Sequence, residues 1–429
     1  MPERVIHDAD AHLMEPPDLF TEHADPDVRD RIAELTVGFR LGDDGTDENE
    51  IVEHFRRRHE DPEFRRHDEE QIWLRKNFEA TGSFIAEDRP AALDMLGVAS
   101  QLVFNTFTNK TLQRVEHGDD LASLSGRTGG RPSSSPQSSR SGARQSPAPA
   151  GGAPIDLDLA YGLARAHNRA MVEFCSVDAR LLPTGYVPLA DFERSAAFAG
   201  EALEMGCKAL LVASACPHHH SPSHVGLDPV WAQAREAGIP IVFHVGGGGR
   251  LVDPTIFENG LPPVPDFHGG DGNFRSVDYI AIQYPVMQVL GLLIIDGVLD
   301  RFPTLRFGVI EQGGTWLPGI MRTLDSAADA FRRNEERLQR LELRPSEYFT
   351  RQVRVTPYPH EDAGWIIQQS GDDICMFSSD YPHVEGGRNP LGRFERSLAP
   401  VSEHAKQRFY CDNFVDLMGA GLPATVQTG

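Results

Sequence analysis

"DPVWAQAREAGIPIVFHVG", Asp228 to Gly246, contains a complete structural unit. Its first half alternates apolar and polar residues at helical spacing. Gly238 then stands where a helix ends in a left-handed glycine. "IPIVF" follows as a short apolar run of strand type, and it delivers His244 to its C-terminal end. The same sequence of events recurs along the chain. "CKALLVAS" follows "FERSAAFAGEALEMG", with Gly206 as the stop, and "RLLPTGYVPL" follows "LDLAYGLARAHNRAMVEFC". "SQLVFNTF" follows "RPAALDMLG", and "LRFGVIEQGG" follows "VMQVLGLLIIDGVLDRFP". "RQVRVTP" follows the helical stretch through "GIMRTLDSAADAFRRNEERLQRL", and "DICMFSSD" follows "EDAGWIIQQSG". With "RVIHDAD" at the start there are eight strand candidates. Helix–strand alternation implies parallel βαβ units, and eight of them predict an α/β chain closed as a (β/α)8 TIM barrel.

Residues 1–429 are therefore expected to form a single barrel domain with interruptions. Residues 18–79, with the charged helical piece "ENEIVEHFRRRHEDPEF", are an insertion after the first strand. Residues 246–276 are rich in Gly and Pro and form a long loop after the fifth, at the barrel end that usually carries function. Residues 121–152 hold nine Ser, six Gly, four Pro and four Arg with no acid and no aromatic. Such a segment is expected to be disordered, because it has too little apolar surface to offset the entropy of ordering.

The 429 residues are 40% hydrophobic and 24% charged, with 41 Lys and Arg against 63 Asp and Glu, a formal net charge of −22. That balance argues against nucleic acid or an anionic membrane as partner. "MPERVIHDADAH" has no apolar signal region, and the most apolar run, "VMQVLGLLIIDGVL", is too short to span a membrane. The five Cys have no CxxC spacing, which fits free thiols and a cytoplasmic location.

In a parallel barrel the strand C-termini share one pole. The first strand ends in Asp8, Asp10 and His12, with Asp10 and His12 on one face by period-two alternation. The fifth ends in His244, the sixth in Glu311, and the eighth in Asp380 with His383 just beyond. Singly, each has a bland reading: Asp10 a turn residue, His12 a core histidine, Glu311 a helix cap. Together, from four strands, they form a cluster too costly to bury without a cation, and His with Asp/Glu suits catalytic Zn, Mn or Fe(II). "CPHHHSPSH", with Cys216, His218, His219, His220 and His224, lacks a ligand spacing and reads first as a solvated or substrate-contacting loop. "GGGG" at Gly246–Gly249 enters a Pro-rich loop and is no dinucleotide fingerprint, and no G-x-S-x-G elbow is present.

"DADAHLMEP", "IVFHVGGG", "GVIEQGGTWLP", "FSSDYPHVEGG" and "CDNFVDLMG" resemble the amidohydrolase-related family, in the metal-dependent branch that includes aminocarboxymuconate-semialdehyde decarboxylase and several aromatic-acid decarboxylases and hydrolases. The resemblance implies a distorted (β/α)8 barrel and a metal held by Asp10, His12, His244 and Asp380. Many members carry a His in an "HGGG" stretch after the sixth strand; here "EQGG" places Glu311 there. That residue is then a base or a ligand of a second metal, with Glu15 and His383 as second-metal or ligand-orienting partners. The replaced His weakens decarboxylation more than hydrolysis, since Glu311 could supply a proton only with a raised pKa. The expected function is thus a metal-dependent hydrolase, in which a metal-activated water attacks a carbonyl-type bond of a small organic substrate. Asp380 would bind metal and accept the water's proton, Glu311 would be a second base or a second-metal ligand, and Arg275 a clamp for a substrate carboxylate. A nonoxidative carboxy-lyase of a small carboxylic acid is the alternative, and a non-catalytic small-molecule-binding barrel the second. One or two divalent ions per chain are expected, zinc ahead of manganese or iron. The partner is a small-molecule substrate, with a homodimer as the candidate assembly.

Overall fold

A computed structural model of the chain describes residues 4–33, 48–117, 155–217, 219–246, 252, 254–262 and 276–427. Seven parallel strands lie side by side in chain order: β1 (His7–Leu13), β2 (Ser100–Asn105), β3 (Leu181–Tyr186), β4 (Ala209–Leu211), β5 (Ile241–His244), β6 (Phe307–Ile310) and β7 (Val353–Val355). Every strand residue is buried, as parallel strands covered on both faces require. Helices cross over between the strands. Those over Phe192–Met205 and Asp228–Ala237 end at Gly206 and Gly238 in the left-handed conformation, φ 106° and 68°, as the sequence predicts.

The eighth expected strand, "DICMFSSD", is not a regular strand. It closes the barrel by single parallel bridges, Cys375 to Val355 of β7 and Tyr381 to Ala11 of β1. Met376 N–H donates to the Val355 carbonyl (2.9 Å), Ala9 N–H to Phe377 (3.1 Å) and Asp380 N–H to Asp10 (2.9 Å). Other partners interrupt the ladder. Phe377 N–H goes to the Phe409 carbonyl (2.9 Å). Asn413 Nδ2 takes the Cys375 carbonyl (2.8 Å), and the Asp8 carboxylate takes both the N–H and the hydroxyl of Ser379. The result is a distorted (β/α)8 barrel whose eighth stave is held from several sides.

Short helices joined by turns make up the described part of 18–79, including Glu48–Glu60 and Pro62–Arg65 within the charged piece. Its Phe20, Val28, Ile32 and Ile72 join the main core, and its Val52, Phe55 and Phe78 form a second cluster with Met14, Phe84 and Phe107. Residues 121–152 and most of 246–276 lie outside the described residues. The helical stretch Ser276–Ile295 begins upstream of the apolar run seen in the sequence. By length and composition it could cross a membrane, with a mean hydropathy of 1.5. In the fold its Val286, Val289, Leu290, Leu293 and Ile294 face the main core. All five Cys are free.

Candidate metal centre

The strands β1 and β5 deliver three donors, Asp10, His12 and His244. A register shift between Asp8 and Ala11 gives β1 one extra residue against β2, a bulge that sits at Asp10. His12 Nε2 comes within 3.2 Å of Asp10 Oδ1, and His244 Nε2, from the end of β5, within 3.5 Å of the same oxygen. Two more donors come from residues at the C-terminal ends of staves. Glu311 follows β6 at φ 54°, and Asp380 ends the eighth stave at φ 52°, both in the left-handed region that side chains rarely adopt. Such backbone costs about 1–3 kcal/mol and concentrates at functional sites. Here it accompanies the turn of both carboxylates toward the strand-borne donors. Glu311 Oε2 lies 3.2 Å from His244 Nε2 and 4.0 Å from His12 Nε2, and Asp380 Oδ1 lies 3.5 Å from His12 Nε2.

The imidazoles are preset as ligands. His12 Nδ1 donates to the Asn105 carbonyl (2.9 Å) and His244 Nδ1 to that of Val245 (3.2 Å). A carbonyl can only accept, so each Nδ1 carries the proton and each Nε2 presents its lone pair. Five buried atoms facing this point make no aligned hydrogen bond: Asp10 Oδ1, His12 Nε2, His244 Nε2 and both Asp380 oxygens. Orphaned buried polar atoms are rare and costly. Here they converge, and a divalent cation satisfies them together, so the residues fit the group. Burial opposes ionisation of Asp10, but the imidazoles of His12 and His244 outweigh it and hold the carboxyl well below its usual range. Burial pushes His12 down to about 4. Ionised acid and neutral imidazole are the metal-binding forms. Glu311 goes the other way: burial first, then the charges of Asp380 and Asp10, drive its carboxyl well up.

The donors fall into two overlapping groups, Asp10, His12, His244 and Glu311, and His12, Asp380 and His383. His383 packs its ring 3.9 Å from that of His12. Its Nδ1 lies 2.8 Å from Asp380 Oδ1, and its Nε2 bonds the Thr106 hydroxyl at 3.0 Å. Burial works against its charge, yet Asp380 raises it to about 9. Glu15 stands apart. Its carboxylate accepts the N–H groups of Thr106 (2.9 Å), Phe107 (3.0 Å) and Thr108 (3.2 Å) and the Thr108 hydroxyl (2.7 Å), at the start of the helix Thr108–Glu116. Arg275 and His218 lie outside the described residues. Among those described, Cys216, His219, His220 and His224 form no ligand group; His220 and His224 pack against Phe192. Two contributors have supporting roles that the sequence does not assign. Asp8 holds Ser379, the neighbour of Asp380. Glu361, rather than Glu311, accepts Gly314 N–H (3.0 Å) and Thr315 N–H (2.9 Å) ahead of the helix Leu317–Phe331.

A barrel with a buried His and carboxylate centre at its C-terminal pole is the arrangement of metal-dependent barrel enzymes. A family model described as amidohydrolase matches residues 141–416, and the chain belongs to that family, whose members are enzymes. Among curated proteins, none matches this sequence. Solved structures are similar over nearly the whole chain. An amidohydrolase from Mycobacterium avium subsp. paratuberculosis K-10 is 21% identical, with a TM-score of 0.67, over 98% of this chain and 100% of the other. The 5-carboxyvanillate decarboxylase of Sphingomonas paucimobilis is 16% identical (TM-score 0.56; 96% and 98% covered). The 2,6-dihydroxybenzoate decarboxylase from Rhizobium is 14% identical (TM-score 0.57; 97% and 99%). A 5-carboxyvanillate decarboxylase from Novosphingobium aromaticivorans, 18% identical (TM-score 0.56; 97% and 96%), is described with bound manganese. At these identities the likeness establishes the fold.

Proposed function

We propose that the chain is a divalent-metal-dependent nonoxidative carboxy-lyase of a small carboxylic acid. The observation that carries this is the place of Glu311. It stands 3.2 Å from a histidine of the centre. Its side chain is 12% exposed, against 1% for Asp10 and His12, 4% for His244 and 7% for Asp380, so it is the acid a substrate meets. Asp10, His12, His244 and Asp380 would hold the ion. Two carboxylates and two imidazoles form a mixed oxygen and nitrogen set that suits manganese(II) as well as the zinc expected from sequence. When bound, the cation supplies positive charge that grips the substrate's oxygens and eases the build-up of an electron pair on carbon. Burial, with the charges of Asp380 and Asp10, drives the Glu311 carboxyl up, the direction that its replacement of His requires. As the bond from carbon to CO₂ breaks, the pair stays on carbon and takes the proton from Glu311 Oε2. The carboxylate left behind regains a proton from solvent at its exposed edge. The decarboxylase activities of the similar structures support this reading.

Hydrolysis is the second reading, favoured by the arrangement of Asp380. Both its oxygens lack aligned partners, and His383 and Thr106 lead away from it as a proton path. In that case Asp380 accepts the proton of a water that adds to a carbonyl. The test is a panel of aromatic and unsaturated acids, esters and lactones with the manganese-loaded protein. CO₂ release with no net addition of water is expected. Water addition without CO₂ replaces the carboxy-lyase with the hydrolase.

A further inference from the structure

The insertion after β1 brings one cation to the rim of the centre. In "WLRKNFEA", Trp73 to Ala80, two adjacent cations have different surroundings. Arg75 is engaged: it pairs with Asp68, donates to the Phe64 carbonyl (2.7 Å) and lies 3.5 Å over the Phe64 ring. Lys76 has one nitrogen, and it is buried with no hydrogen-bond partner. The anions whose field acts on it are Asp380 and Glu385, with Arg388 opposing. Its neighbours are pinned to the Asp380–His383 loop and the barrel rim. Asn77 N–H donates to the Pro382 carbonyl (2.9 Å), Trp73 packs edge-on against Tyr381 at 6.4 Å, and Phe78 stacks on Phe107 at 6.2 Å. Three unpaired donors in a buried place are unfavourable unless an acceptor arrives.

We propose that Lys76 is a substrate-binding residue that receives an anionic oxygen, carboxylate or phenolate, which the reaction leaves in place. The proposal rests on the carboxy-lyase reading, and charge flow decides which oxygen it is. When CO₂ departs, negative charge leaves the scissile carboxylate for carbon. An ammonium bound to that carboxylate would stabilise the ground state more than the transition state and slow the step. Lys76 therefore fits a second anionic group, and the substrate class becomes an acid with at least two. Burial lowers the amine to about 8.

The experiment compares benzoate and isophthalate binding to the manganese-loaded protein by calorimetry, in wild type, K76M and K76R. Wild type should prefer the two-carboxylate probe by about 10- to 100-fold, the worth of a charged hydrogen bond. K76R should keep most of that preference and K76M should abolish it. Manganese content should be unchanged in all three, and the melting point of K76M not lowered, since no protein partner is lost. Equal binding of the probes by wild type, or an intact preference in K76M, overturns the assignment. So does loss of manganese from K76M, which would make the residue a support for Asp380. If CO₂ is never released from any acid while the preference holds and vanishes in K76M, the carboxy-lyase reading falls and the anion site stands.

Discussion

The two halves of the centre are built on different backbone. Asp10, His12 and His244 sit on β1 and β5, within the sheet. Glu311 sits one step past β6 and Asp380 at the end of the irregular eighth stave, both in left-handed conformation, with His383 in the loop beyond. The strand-borne side chains are the most buried, at 1% to 4% exposure, and their imidazoles are fixed by backbone carbonyls. The loop-borne acids are more open, and their surroundings set their protonation. The division suggests that the strand-borne groups, with Asp380, hold the ion and that the more open Glu311 does the chemistry. Removing a strand-borne group should empty the centre, whereas removing Glu311 should slow turnover with the ion in place.

The largest effect is expected from His244→Ala. Metal affinity should fall by more than the 10–100-fold usual for a ligand-orienting partner, and activity should go with it. The barrel should stay folded, because the lost ring serves the centre more than the core. Metal analysis and circular dichroism check both halves, and stoichiometric metal in H244A breaks the comparison at its strand-borne side. Next comes Glu311→Gln. It should keep the metal and cut turnover by about 10²–10⁴-fold, the range of general acid–base catalysis. A fall from two metals to one would make Glu311 a ligand of a second ion. Full activity with unchanged metal would leave it no role in the centre.

This division also explains what the sequence could show. The strand-borne donors were legible because period-two alternation and strand ends are sequence features: Asp10, His12 and His244 meet where that pattern puts them. Seven strands and the glycine stops at Gly206 and Gly238 were legible for the same reason. The eighth stave was read as an ordinary strand because its apolar run looks like one. What breaks its ladder is distant in sequence, at Phe409, Asn413 and Asp8. Glu15 and His383 share one expectation from sequence, second-metal ligand or ligand-orienting partner, because both lie close in sequence to the ligands. The fold separates them: one serves a helix start, the other touches Asp380. Lys76 carried no signal, since nothing local distinguishes it from Arg75.

His383→Ala probes the join between the halves, because its ring packs on strand-borne His12 and its Nδ1 faces loop-borne Asp380. Metal affinity should weaken by about 10–100-fold, as for other groups that orient a ligand. Saturating manganese should restore the ion and much of the turnover. If a second ion is bound through His383, the count at saturation drops by one instead.

The smallest effect on the centre should come from Glu15→Gln. Each carboxylate oxygen of Glu15 accepts from the start of the helix Thr108–Glu116, one from Thr106 and Phe107 N–H, the other from Thr108 N–H and its hydroxyl. A Gln can offer only one such oxygen. Its NH₂ must then face at least one backbone N–H, and a buried donor left unpaired costs about 1–3 kcal/mol. The Thr108 hydroxyl can turn to accept, but a backbone N–H cannot. The variant should therefore melt lower while binding the same amount of metal with the same affinity. Thermal unfolding with and without manganese checks this: the loss should be similar in both states, because Glu15 makes none of the contacts of the centre. A loss seen only in the metal-loaded protein, or a reduced metal count, would move Glu15 from the helix start into the centre.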